Sequence, residues 1–180
     1  MTKPDPSAWI DPLGRPVLAA SIPATGLAFT VTPDAAEREA LARALDLVSV
    51  DRLTADFQLR AAAGGLYEVS GMLRAEVRPR CVVTLEPFSL VIDEPVSIRF
   101  ADAAAPAARR AATPAPADLD DDPPDPVENG MIDLGRVTTE FLSLALPIYP
   151  RAPGAEFAAS GEDGPASPFA VLAGKGRAER

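Results

Sequence analysis

The chain has 180 residues, of which 47% are hydrophobic, and its formal net charge at pH 7 is -9. This length suits one domain with a sizeable core, and the single cysteine, Cys81, excludes an internal disulfide framework. The absence of histidine excludes Ser-His and Cys-His catalytic arrangements and leaves too few ligands for a zinc centre, so we expect no enzyme, no metal site and no cofactor.

The first third of the chain predicts an arm, two short strands and a helix. Residues 1–14 contain three prolines and little periodicity, which predicts a flexible N-terminal arm. Residues 17–22 and 27–32 are typical of two short strands that pair as a hairpin. Thr32 is a helix cap by residue type, and apolar residues follow it at helical spacing, which predicts a helix over residues 33–46.

The middle of the chain predicts a three-stranded meander. Apolar residues take the odd positions from residue 67 and the even positions from residue 88, so we expect a turn or bulge at Glu86 and Pro87. A second break is expected at Pro79, because proline cannot donate a ladder hydrogen bond. Residues 50–60 and 66–77 are expected to form a hairpin, with residues 81–92 as the return strand.

The second half of the chain begins with a change of composition. Residues 101–128 are rich in alanine, proline and acid, which predicts a disordered acidic linker that is either a solvated loop or a docking element for a basic partner. Asp133 is a cap for a helix over residues 134–146, which Pro147 stops. The face of this helix that packs on the sheet is expected to comprise Leu134, Val137, Phe141, Leu144 and Ala145.

These elements together predict an α+β fold. We expect a curved antiparallel sheet of five or six strands, with two helices on its apolar side, and the pattern leaves open whether the sheet closes into a barrel. Residues 15–157 are expected to form one domain that the linker interrupts, and residues 158–180 a mostly disordered tail. No apolar run reaches the length of a signal peptide or a membrane span, which predicts a cytoplasmic protein without membrane contact.

A basic stripe is the main candidate site in the predicted sheet. Arg74, Arg78 and Arg80 share the solvent side of the central strand if the register continues past Pro79, and the acid excess lies mostly in the second half of the chain. We therefore expect this face to be locally positive, either as a solvated face or as an RNA contact. Cys81 is in phase with the core face and is interpreted as a buried core residue.

Three segments carry a family resemblance. They are GMLRAEVRPRCVVTLEPF, then IDLGRVTTEFLSLALPIYPRAPGAE beyond the acidic insert, and finally PFAVLAG. In this order they resemble the YceD-like family of large ribosomal RNA subunit accumulation proteins, in its alphaproteobacterial form. The resemblance covers about residues 26–156. It implies a non-enzymatic role in the accumulation of large-subunit (23S) ribosomal RNA, hence in ribosome assembly, with that RNA or a ribosomal protein as partner.

The resemblance also singles out individual residues. Many relatives have a second cysteine three residues after the first and another pair beyond the conserved helix, which could form a metal clip. Here Thr84 stands at the first of these positions and residues 147–154 contain no cysteine, so we expect a metal-free member. Two roles remain open for Glu86: it either maintains the geometry of the turn or presents its carboxylate to a partner. A mainly structural role is implied for Cys81, Leu85, Pro87, Asp133, Leu134, Gly135, Glu140, Leu144, Leu146 and Pro147.

Two functional hypotheses remain open at this point. The first is an assembly factor that touches ribosomal RNA or a nascent ribosomal protein through the sheet face and the loop around Tyr149, Pro150 and Arg151. The second is a protein-only adaptor or chaperone whose acidic linker shields a basic client without RNA contact. Direct RNA binding weakens steeply with salt through counterion release, which separates the two.

Overall fold

The computed structural model describes residues 12–102 and 123–156. Most of the predicted arm, residues 103–122 of the predicted linker and the predicted tail lie outside these described residues. The strands are β1 (Pro16–Leu18), β2 (Leu27–Val31), β3 (Ser49–Ala62), β4 (Leu66–Arg78), β5 (Leu90–Ala101), β6 (Asp125–Pro126) and β7 (Met131–Asp133), and the helices are α1 (Ala35–Ala44) and α2 (Leu134–Ala145).

The main sheet has five strands in the order β2-β3-β4-β5-β6. Its neighbouring strands are antiparallel, apart from the short parallel pair of β5 and β6. β1 and β7 form a separate antiparallel pair. Among the described strands β2 and β6 do not pair with each other, so the sheet is open and does not close into a barrel. The predicted α+β fold with a five-stranded sheet and two helices is confirmed.

The hairpin of β3 and β4 forms as the alternating pattern predicts. Gly64 and Gly65 in its turn have φ of 78° and 75°, a left-handed conformation that glycine adopts without steric cost. Val69, Leu73, Ala75 and Val77 of β4 are buried, while polar residues among them, such as Ser70 and Arg74, are exposed. The period of two therefore identified the core face of this strand correctly.

The predicted pairing of the first two strands is wrong. Residues 17–22 do not form one strand: β1 ends at Leu18 and a 3-10 turn, Ala19–Ser21, follows. β1 pairs with β7, where Val17 lies opposite Ile132, and β2 pairs with β3. Val17 and Ile132 are both buried, so the pair gains apolar burial that a local hairpin would not provide.

The return strand also differs from its prediction. β4 ends at Arg78, immediately before Pro79, which confirms that break. The chain then reverses between residues 79 and 88, and β5 begins only at Leu90 instead of residue 81. The tight part of the reversal lies at residues 82–85, before Glu86 and Pro87, because Leu85 adopts a φ of 62°.

Both helices begin at an aspartate. Asp34, not Thr32, caps α1, and its carboxylate and that of Glu37 form a reciprocal capping box with the backbone amides. Asp133 caps α2 as predicted, since its Oδ1 accepts from the Gly135 and Arg136 amides.

The buried side of α2 differs from its prediction at one position. Leu144 is 74% exposed, whereas Leu142 is fully buried. Residues two positions apart lie about 200° apart around a helix, so only one of them can face the sheet. Leu142 therefore replaces Leu144 on the buried side. Thr138 is also buried there, and its hydroxyl donates to the Leu134 carbonyl at 2.7 Å.

One buried cluster contains residues from both described ranges of the chain. Leu13 is fully buried in it, so packing begins before residue 15. A Cβ at Gly135 would overlap the backbone carbonyl of Leu13, and only glycine allows α2 to approach that closely. α2 thereby lies against both β1 and the main sheet.

Candidate functional site

The arginines on the solvent face of β4 are paired with acids from neighbouring strands. Arg74 lies 3.3 Å from Asp56 of β3 and 3.7 Å from Asp93 of β5, and Arg78 lies 3.8 Å from Asp51. The face is therefore not locally positive at Arg74 and Arg78, contrary to expectation. The neutralising groups come from other strands, so the composition of β4 alone could not indicate them.

Arg80 lies in a different setting from the other two arginines. It follows Pro79 in the reversal, where it forms an isolated antiparallel bridge with Pro87. Its Nη1 donates to the Leu85 carbonyl at 3.1 Å, and no described carboxylate lies within ion-pair distance of it. Within the described ranges, the positive charge of Arg80 is therefore not compensated by an ion pair.

The buried thiol of Cys81 joins the reversal to the loop after α2. Cys81 is fully buried, which confirms that prediction, and its Sγ lies 3.4 Å from the backbone amide of Ala152. The Val82 amide donates to the Pro150 carbonyl at 2.9 Å. These bonds hold together two segments that are 71 positions apart in the chain. We call residues 80–87 and 147–152 the turn-loop junction.

Hydrogen-bond donors surround the Cys81 sulfur. The Thr84 hydroxyl and the backbone amides of Ala152, Thr84 and Val83 lower the pKa of Cys81 from its ordinary value of 9.0 to about 6, while burial opposes the shift. The thiolate is thus stabilised by donors and is sealed from solvent. The prediction of Cys81 as a buried core residue did not include this role as a hydrogen-bond acceptor. In the sequence, the hydroxyl residue Thr84 three positions later is the feature that could have indicated it.

Apolar side chains at the turn-loop junction point into solvent. Ile148 is 87% exposed, Tyr149 75% and Leu85 66%, and Val82 is also exposed. Leu85 holds a left-handed backbone that is unusual for a branched residue. Leu85 therefore lies outside the buried cluster, and within the described ranges its side chain is largely exposed.

Arg151 completes the surface of the turn-loop junction. It is exposed, and within the described ranges no ion pair involves it. The Ala152 amide is hydrogen-bonded to the Cys81 sulfur, and Arg151 and Arg80 are the residues that precede these two in the chain. The structure thus brings Arg80, Tyr149 and Arg151 to one region and leaves Arg74 and Arg78 on the sheet. Such a surface can combine charge attraction with stacking.

The remaining motif residues lie at the ends of α2, on its exposed face or in the reversal. Asp133, Leu134 and Gly135 place the start of α2, and the chain leaves the helix at Leu146, which is extended and precedes Pro147. Glu86 is exposed, and its backbone carbonyl accepts a hydrogen bond from the Cys81 amide at 2.8 Å. Glu140 and Leu144 are exposed on α2.

Two observations concern the chemistry available in the described ranges. No group of three acidic or cysteine side chains converges there in a way that could hold a metal ion. Neither described helix is long and apolar enough to cross a membrane.

Comparison with protein families gives one match. The family model described as Large ribosomal RNA subunit accumulation protein YceD matches residues 69–173, which is more than half of the chain. The match includes the reversal, α2 and the whole turn-loop junction. Neither the curated proteins nor the solved structures gave a significant match.

Proposed function

The chain belongs to the YceD family of large ribosomal RNA subunit accumulation proteins, and from this membership we propose that it supports accumulation of 23S ribosomal RNA as a cytoplasmic ribosome-assembly factor. We further propose that it acts by binding and not by catalysis. Cys81 is sealed from solvent and the chain has no histidine, so the usual nucleophile and base near neutral pH are not available to a substrate.

The contact with ribosomal RNA is proposed to lie at the turn-loop junction. The observation that supports it is the bond between the Cys81 sulfur and the Ala152 amide, because Arg80 and Arg151 precede these two residues in the chain and neither makes an ion pair within the described ranges. Exposed Tyr149 lies between the helix end and Arg151. Single-stranded loops of RNA are recognised by stacking on aromatic and guanidinium planes, and this surface offers both. Arg74 and Arg78 are assigned no RNA contact, since their charges are already balanced.

The alternative is a protein-only adaptor for a basic client. The net charge of -9 favours it, because an acidic chain repels phosphate at long range. The exposed aliphatic side chains of Leu85 and Ile148 would then contact the client in place of RNA. The two functions differ in whether the purified protein retains RNA affinity at low salt.

A binding titration against a 23S ribosomal RNA transcript tests the proposal. The variant Arg80→Gln/Arg151→Gln is compared with Arg74→Gln/Arg78→Gln, which changes the net charge by the same amount. The junction variant should reduce the magnitude of the salt slope by about 1.4, since each contact with a single-stranded phosphate contributes about 0.7. The sheet variant should leave the slope close to that of the wild type.

Equal effects of the two variants would contradict the proposed site, and binding of a basic ribosomal protein without RNA binding would establish the adaptor instead. In cells that lack the gene, the ratio of 23S to 16S ribosomal RNA should fall. The wild-type chain should restore that ratio and Arg80→Gln/Arg151→Gln should not. An unchanged ratio would contradict the assembly role itself.

A further inference from the structure

A groove of about 460 Å³ lies between α2, the end of the main sheet and the β1–β7 pair. Its lining contains no residue of the turn-loop junction. Its floor is made by buried apolar side chains, namely Phe100 from β5, Ile132 from β7 and Val137 from α2. A volume of this size is in the range of pockets that hold several side chains of a bound ligand.

The rim of the groove is acidic. Asp125 and Glu140 are exposed, and neither makes an ion pair within the described ranges. Glu128 also lines the groove, but its charge is balanced by Arg136 at 3.1 Å. Within the described ranges, two carboxylates beside an apolar floor therefore have no ion-pair partner.

The sequence before Asp125 is acidic. The run Asp118, Asp120, Asp121, Asp122 immediately precedes Asp125 in the chain. Asp125 is held in place by the pairing of β6 with Phe100 and Ala101 of β5. The attachment of β6 to the sheet therefore places Asp125 at the groove.

We propose that this groove binds a polypeptide segment in which lysine or arginine alternates with apolar residues. The apolar side chains lie on the floor made by Phe100, Ile132 and Val137, and the cationic side chains lie against Asp125 and Glu140. Charge complementarity selects this occupant: a nucleic acid would bring phosphates towards uncompensated carboxylates, which costs free energy. The inference goes beyond the proposed RNA contact and does not depend on it.

Fluorescence anisotropy with the full chain tests the proposal. The probe is a short, fluorescein-labelled synthetic peptide of alternating lysine and leucine. Asp125→Asn/Glu140→Gln should weaken its binding by about fivefold, since two partly exposed charge contacts are lost. The matched control is Asp46→Asn/Glu156→Gln, which removes the same net charge from exposed positions outside the groove. It should weaken binding by less than about twofold, through long-range attraction alone.

Two further measurements test the apolar floor. Met131 lines the groove and is 42% exposed, so Met131→Lys should weaken binding of the lysine-leucine peptide by adding a like charge. A peptide of alternating lysine and serine should bind the wild-type chain several-fold more weakly than the lysine-leucine peptide. Equal binding of the two peptides would overturn the proposal, as would equal effects of the groove variant and its control.

A single-stranded RNA oligonucleotide in the same assay separates this inference from the proposed function. The groove variant and its control should change RNA affinity to the same small extent, because both act on RNA only through net charge. A larger change in the groove variant would place RNA in the groove and overturn the peptide proposal. Failure of the turn-loop junction to bind RNA would leave the peptide results unaffected.

Discussion

The solvent face of the sheet and the turn-loop junction both present arginines, yet they differ in charge. On the sheet, Arg74 lies between two carboxylates that the antiparallel register places on either side of it. At the junction, Arg80 and Arg151 come from distant segments and meet no described carboxylate. The charge of an exposed surface therefore depends on which segments become neighbours, and counting arginines along one strand does not reveal it.

The largest effect that would sharpen this comparison is expected at Tyr149. Loss of one stacked base costs about 1–3 kcal/mol, so Tyr149→Ala should weaken binding of a 23S ribosomal RNA transcript by roughly tenfold or more. Because Tyr149 is 75% exposed, the free energy of unfolding should hardly change. Tyr149→Phe is the matched control and should retain most of the affinity, since the ring is preserved. Full affinity of Tyr149→Ala would remove stacking from the mechanism.

The next effect concerns the bond that assembles the turn-loop junction. Cys81→Ala removes the acceptor shared by the amides of Val83, Thr84 and Ala152, and leaving buried donors unpaired should lower the free energy of unfolding by about 1–3 kcal/mol. Cys81→Ser keeps an acceptor and should lose less. Urea denaturation measures both. RNA affinity should fall with Cys81→Ala, and an unchanged affinity would show that the Cys81 contact does not organise the RNA surface.

A pH titration of stability tests the state of the same thiol. The pKa of Cys81 is lowered from 9.0 to about 6 in the folded chain, so the unfolded chain binds more protons between these values. The stabilisation is fully present above pH 9 and is lost as the pH falls through about 6. The free energy of unfolding of the wild type, measured relative to Cys81→Ser, should therefore rise from pH 6 to pH 9. A flat difference would contradict a stabilised thiolate.

The smallest effect is expected on the sheet face. Arg74→Gln breaks contacts with Asp56 and Asp93 that are all largely exposed, so the free energy of unfolding should fall by less than about 1 kcal/mol. The loss should diminish further in high salt, because exposed charges are screened. Thermal unfolding at two salt concentrations measures it. A large loss of RNA affinity in this variant would break the distinction between the two surfaces.

Features that depend on neighbours along the chain were predictable from the sequence. The alternation in β4 correctly placed Val69, Leu73 and Val77 in the core. Asp133 was recognisable as a helix cap, and Pro79 as a strand end. Each rests on local backbone chemistry or on a fixed geometric period, which act over a few residues.

Features that depend on contacts between distant segments were not predictable in this way. The pairing of β1 with β7 joins strands on opposite sides of the insert, and no local pattern identifies that partner. The acids beside Arg74 come from two other strands, and the amide at the Cys81 sulfur comes from Ala152. On α2 the helical period predicted Leu144 on the inward face, and packing against the sheet buries Leu142 instead.

The sequence by itself determined the β3–β4 hairpin, the two helices, the core face of β4 and the family to which the chain is similar, because propensity, capping and periodicity depend on residues that are close together in the chain. Only the tertiary structure decided which of the described arginines lie beside a carboxylate. It also decided that the carboxylates of Asp125 and Glu140 lie at the rim of a groove with an apolar floor. Both outcomes depend on distances of a few ångströms between side chains that are far apart in the chain, and those distances exist only once the core has packed.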